Sequence, residues 1–268
     1  SKRKENLMRE LVVQEKNEVK AKISDSLMDK LESIEAALPK DFNKTRFVQN
    51  AIAVLNDKPE LAKINQQMLI QGLVKGAYLG LDFLADECYL IPYGQSIEFQ
   101  TSYRGEIKIA KKYSIRPVLD IYAKVVREGD IFDEKIIDGE QSINFSPLPF
   151  NGGDIIGAFA VVTYKDGGMQ YEAMSVSDIN AVRSNYSKMA NGKAWKNSFD
   201  QMCIKTVLRR LCKYIEIDFE SVEARLAWDE SSDLDKNRVN KPVSDAVVNV
   251  FDTVIEEDGS ITEVPANE

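Results

Sequence analysis

The sequence predicts an α+β protein: an antiparallel β-sheet with hairpins packed by helices, a helical N-terminal part and a flexible acidic C-terminal tail. Three observations predict it. Apolar residues recur at helical spacing from Leu27 to Ala77. β-rich runs joined by glycine-containing turns follow between Cys88 and Met174, and beyond Trp228 the chain is acidic, polar and without period.

The first ~22 residues alternate Lys/Arg with Glu and hold little apolar material, which reads as a frayed helix or disorder. Ser24 can cap a helix carrying Leu27, Leu31, Ile34 and Leu38, with Pro39 as its stop. Phe47, Val48, Ala51, Ile52 and Leu55 make a second amphipathic helix. Asn65 opens a third through Leu69, Leu73, Val74 and Ala77, and Gly80 suits its C-terminal end. Cys88–Pro92 and Ile97–Thr101 then flank Tyr93-Gly94-Gln95-Ser96 as a hairpin, and a short helix runs from Tyr103 to Tyr113. Val118–Arg127 is a strand. Asp154–Tyr164 and Met169–Met174 form a second hairpin around Asp166-Gly167-Gly168. Ser177 can cap a helix through Val182, and Trp195–Tyr214 reads as one long helix. The expected organisation is a charged leader over 1–23, a core over 24–228 and a flexible acidic tail over 229–268.

Composition removes several functions. The chain has 268 residues and no histidine. That takes away the commonest general base, the Ser-His and Cys-His nucleophile pairs and the commonest metal ligand. No run approaches the length of a membrane span, and the N-terminus lacks the apolar stretch of a secretory signal. Cys88, Cys203 and Cys212 show no metal-ligand spacing and read as buried, reduced thiols in a cytoplasm. No enzyme site, cofactor or metal is expected.

The net charge of −8 hides an uneven distribution. Residues 214–268 hold 15 acidic and 4 basic side chains, whereas 101–127 hold seven basics against two acids and 183–213 eight against one. On a helical wheel Lys205, Arg209, Lys213 and Arg210 cluster within an arc of about 140°, opposite Cys203, Val207, Leu211 and Leu208. On the shorter helix Arg104, Lys108, Lys111 and Lys112 cluster away from Ile109 and Tyr113. Cations with few carboxylates beside them suit a phosphate backbone. A run of solvated helix faces is the plainer reading. Between the two lies Arg183-Ser184-Asn185-Tyr186-Ser187-Lys188-Met189-Ala190-Asn191-Gly192-Lys193-Ala194-Trp195, mixing cations, small polar residues and two aromatics as a single-strand groove does. Trp195 either stacks a base there or anchors the helix that follows.

Two look-alike motifs fail. Gly192-Lys193-Ala194 lacks the first glycine and the final Ser/Thr of a phosphate loop, with Ser187 and Ala194 in those places. Glu106-Ile107-Lys108 has the E-x-K spacing of metal nucleases but falls on a helix with no convincing partner aspartate. A Mg-dependent nuclease is the weakest reading, and a protein that only coats single strands a stronger alternative.

The runs Ala77-Tyr78-Leu79-Gly80-Leu81-Asp82, Cys88-Tyr89-Leu90-Ile91-Pro92-Tyr93-Gly94 and Phe99-Gln100-Thr101-Ser102-Tyr103-Arg104-Gly105 resemble the RecT family of phage-type DNA single-strand annealing proteins. So do Ala37-Leu38-Pro39-Lys40, Ile121-Tyr122-Ala123-Lys124-Val125-Val126, Asp166-Gly167-Gly168 and Lys205-Thr206-Val207-Leu208-Arg209-Arg210-Leu211. The likeness covers roughly residues 25–228. It implies an ATP-independent protein of DNA recombination, in the cytoplasm of a bacterial host cell. Such a protein coats single-stranded DNA as a homo-oligomer, in rings or filaments, and holds a duplex annealing intermediate. The resemblance also implies an exonuclease partner, and the acidic tail is expected to recruit partners such as a host single-strand binding protein. The matched positions are Gln100, Tyr103, Arg104, Lys124, Lys205, Arg209 and Arg210; the loop and helix cations Lys108, Lys111, Lys112, Arg183, Lys188, Lys193 and Lys213, with Trp195, complete the expected DNA-binding set.

Overall fold

The computed structural model describes residues 2–94, 96–187, 190–231, 253–255 and 261–263. The chain divides into two units, Ser1–Asp233 and Leu234–Glu268. In the second, β8 (Thr253–Ile255) pairs antiparallel with β9 (Ile261–Glu263). Of the expected flexible tail, residues 229–231 instead pack with the first unit, Asp229 and Glu230 in a helix and Ser231 buried, and residues 232–252, 256–260 and 264–268 lie outside the described residues.

The first unit begins with three helices. α1 (Lys2–Ser33) buries Ile23, Leu27 and Leu31, spaced by four residues, against α2 (Lys44–Asp57) and α3 (Gln66–Leu79). Ser24 therefore lies inside a continuous helix rather than capping one, and the helix ends at Ser33, ahead of Pro39, in a 3-10 turn at Glu35–Ala37. Asn43 caps α2 by accepting from the Arg46 amide. Asn65 caps α3, which closes on Gly80 at φ +65°, a left-handed turn that favours glycine.

The hairpin β1 (Cys88–Tyr93) and β2 (Ser96–Thr101) packs on α3. A row of edge-on rings, Phe47 to Phe83 at 6.0 Å and Phe83 to Phe99 at 6.2 Å, joins α2 to this hairpin. Helix α4 (Tyr103–Tyr113) follows at once, with Ser102 accepting from the Arg104 and Gly105 amides. Gly105 sits so close to β1 that a Cβ would run into the Glu87 carbonyl oxygen. No larger residue fits that approach.

The main sheet is antiparallel, in the order β3 (Val118–Arg127), β6 (Ile155–Tyr164), β7 (Met169–Ser175). The central strand β6 is largely apolar and is buried from Gly157 to Val162, with side chains covered on both faces. Phe159 and Val161 pack under a hairpin of β4 (Ile131–Ile137) and β5 (Glu140–Ser146), with Phe132 and Phe145 at 5.1 and 4.9 Å from the Phe159 ring. The alternate residues Ala158, Ala160, Val162 and Tyr164 face the opposite side, where α7 (Phe199–Cys212) lies.

The remaining helices are α5 (Val176–Tyr186), α6 (Lys193–Asn197) and α8 (Val222–Glu230). Ser175, not Ser177, caps α5, in a reciprocal capping box with Asp178. The expected single helix from Trp195 is two, because Ser198 at φ −139°, ψ 47° leaves helical geometry between α6 and α7. Antiparallel sheets packed by helices, with helices leading, agree with the expected α+β class. No described helix is long and apolar enough to cross a membrane.

Candidate nucleic-acid interface

A cleft of about 490 Å³ opens between the β1–β2 hairpin and the segment running from α6 into α7. Its near wall comes from cross-strand neighbours Tyr89 and Gln100, with Ile91 beside them and Ser102 and Tyr103 at the start of α4. Its far wall comes from Gly192, Lys193, Ala194 and Trp195, then Ser198, Gln201, Met202 and Lys205. The last three share one face of α7, since residues four apart stack along a helix. Arg104 stands beside the cleft, its Nε donating to the Tyr103 hydroxyl at 3.4 Å. Lys58 approaches from α2's end, 5.5 Å from the centre of the Tyr89 ring. Five residues of the expected set, Gln100, Tyr103, Lys193, Trp195 and Lys205, thus line one opening.

Trp195 holds that opening in shape. It is 3% exposed and its Nε1 donates to the Ser187 hydroxyl at 3.2 Å. The Arg183 guanidinium lies over the same indole at 5.3 Å and donates through Nε to the Ala190 carbonyl at 2.6 Å. Arg183 and Trp195 together pin the two ends of the loop between α5 and α6. The anchoring reading of Trp195 is the one this geometry supports. Lys188 lies outside the described residues.

Several other expected cations are paired with acids in the folded chain. Lys108 pairs with Glu87 at 2.6 Å, Lys111 with Asp120 at 3.1 Å, and Arg210 with Glu172 at 2.8 Å. Burial holds the Lys112 ammonium below the ordinary lysine range, and it lies 5.1 Å from the Tyr113 ring centre. Lys213 sits at the end of α7 and its charge reaches Glu172. Lys124 pairs with Phe159 across β3 and β6, so it lies on the β4–β5 side of the sheet, away from α7. The premise that these segments lack carboxylates fails once the chain folds.

Arg209 requires the clearest correction. It does not share a solvent face with Lys205; it is 4% exposed. Its Nη1 donates to both oxygens of the fully buried Glu106, at 3.0 and 3.2 Å, and Nη2 to the Trp228 carbonyl at 2.8 Å. The guanidinium also stacks 3.7 Å over the Trp228 indole. Thr101 completes the cluster by donating its hydroxyl to Glu106. The sheet covers one side of α7 and α4 with α8 a second, which leaves only a narrow solvent face.

A family model described as the RecT family matches residues 45–242. The chain belongs to the RecT family. It is also 28% identical over 237 residues to Protein RecT of Escherichia coli (strain K12), across 82% of this chain and 84% of that protein. A Bacillus subtilis (strain 168) protein, named uncharacterized protein YqaK, is 25% identical over 190 residues, covering 70% of this chain and 65% of its own. As a RecT-family member the chain is a recombination-related single-strand annealing protein that binds single-stranded DNA.

For a RecT-family chain, the E-x-K pair is occupied elsewhere. Glu106 points inward to Arg209 and Lys108 outward to Glu87. The three thiols are all buried and unpaired with one another, and burial raises each, Cys203 to about 12. Tyr89, Ile91, Gln201 and Met202 were missed as cleft residues. Tyr89 and Ile91 carry the alternation of a strand; the β1–β2 register alone, which sets Tyr89 opposite Gln100, could have marked it.

Proposed function

We propose that this chain anneals complementary DNA strands without nucleotide hydrolysis, holding single-stranded DNA across the cleft as one subunit of a homo-oligomer. One observation carries the reading: Lys193 of α6, Lys205 of α7 and Tyr103 of α4 meet round one opening, with Arg104 beside it. Cations that meet a phosphate backbone bind without reading sequence. Annealing breaks no covalent bond. It needs two backbones neutralised and the bases left able to pair, so no catalytic residue, metal or cofactor enters the reading.

One cleft spans only a few nucleotides. Pairing long strands therefore calls for subunits placed head to tail, so that their clefts run in series. An exonuclease that exposes the strand is the natural partner of such an assembly. The acidic residues beyond 229 suit contacts with other proteins, such as a host single-strand binding protein, better than contacts with DNA.

The test mixes complementary labelled oligonucleotides with the purified full chain, without nucleotide. Duplex formation should accelerate, and sedimentation should show large assemblies on DNA. Binding without acceleration would identify a coating protein instead.

A further inference from the structure

Gln100 is 7% exposed and lines the cleft, and no hydrogen bond engages its side-chain amide among the described residues. Its equally buried neighbour Thr101 bonds to Glu106 and contacts Ser231. The amide atoms are not sealed off, so they face the water of the cleft, which an entering donor and acceptor would replace. Flat or pliable apolar surfaces flank it, with Tyr89 and Tyr103 on its own wall and Met202 on the far one. Lys193 and Lys205 add positive charge to the same opening. The cleft volume, about 490 Å³, falls in the range of sites that hold one small ligand.

We propose that the cleft receives one unstacked nucleobase of the bound single strand, its polar edge on the Gln100 amide and its phosphate at Lys193 and Lys205. This rests on the single-strand reading of the cleft. An amide offers one acceptor and two donors. Every base presents a matching pair on its edge, so the pocket holds a base without choosing among them. Aromatic and apolar walls stack any base in the same indifferent way. Neighbouring nucleotides stay outside, with their edges open to a complementary strand. A base drawn in at intervals would register the strand along successive subunits.

The test compares two probes with the full chain: an oligonucleotide, and a strand of equal length carrying abasic sites throughout. The wild type should bind the base-bearing strand about tenfold more tightly. Met202→Trp fills the cleft and should bring that ratio near one. Gln100→Ala, which adds no bulk, should lower it several-fold, and it serves if the first variant fails to fold by circular dichroism. Equal wild-type affinity for both strands, with steep salt dependence, would overturn the base pocket and leave the single-strand reading standing. A preference for bases that survives both substitutions would place the bases elsewhere and overturn it too. Failure of the wild type to bind either strand would overturn the single-strand reading itself, and the pocket with it.

Discussion

Arg209 of α7 and Glu106 of α4 form an ion pair closed to solvent, with both carboxylate oxygens within 3.2 Å of Nη1. Removing one partner leaves the other charged and desolvated, which costs about 3–5 kcal/mol. Arg209→Ala should therefore lower stability by that order, read as a shifted urea midpoint. A normally stable Arg209→Ala with weakened DNA binding would mean that the arginine faces the strand.

Lys193 and Lys205 should behave in the opposite way. Replacing both by Ala should cost clearly less stability than Arg209→Ala, since Lys193 is exposed and Lys205 only half-buried. Two lost phosphate contacts should reduce the slope of log affinity against log salt by about 1.4 for a single strand. Titrations at several salt concentrations, followed by fluorescence anisotropy, check both the slope and its reduction.

The Asp166 carboxylate receives a two-pronged contact from Arg116, through Nε and Nη2 at 2.6 Å each. That contact, first among the causes, lowers its pKa from 3.8 to about 2. A depressed folded pKa contributes stability above the unfolded value, and the contribution is lost as pH falls towards the folded one. For Asp166 the window runs from 3.8 down to about 2. Its carboxyl resonance should titrate near the lower value in the wild type. In Arg116→Leu the midpoint should rise towards the upper one.

Phe150 is fully exposed and held at φ +55°, a region that bulky side chains rarely adopt. The loop enforces it: Asp130 accepts from the Leu148 amide and from Asn151, and Asn151 also binds the Glu128 carbonyl. Asparagine tolerates this conformation better. Phe150→Asn should gain roughly 1 kcal/mol of stability, because strain is relieved and no packing is lost. Denaturant unfolding measures it.

The second, third and fourth helices, the first hairpin and the main sheet were legible because each keeps one period and one clear boundary, whereas α8 was not anticipated and the Trp195–Tyr214 helix breaks at Ser198. Tyr103–Tyr113 and Val118–Arg127 appear with the expected ends. The β4–β5 hairpin was not anticipated, although Asp138-Gly139, both at positive φ, is a strong hairpin turn. Its strands cover the Phe159 face with only Phe132, Ile143 and Phe145, and Ile136 and Ile137 stay exposed, which blurs the alternation. The cleft was half legible. Lys205 and Lys193 were named from charge, but a helical wheel treats every residue off the apolar stripe as solvated. It could not show that Glu106, 103 positions away, waits beneath Arg209.

The Trp228 carbonyl and indole that enclose Arg209 come from α8, close to the end of the first unit, and the Thr101 amide bonds to the Ser231 carbonyl beyond it. During synthesis the buried arginine is thus made well before its cover. A nascent chain that has emerged only as far as α7 carries a charged side chain bound for the interior with one of its partners missing. Contacts of such long sequence separation form late. Thr101 stands between the cleft residues Gln100 and Ser102, so the last turn of α8 and Ser231 brace the strand that carries that wall.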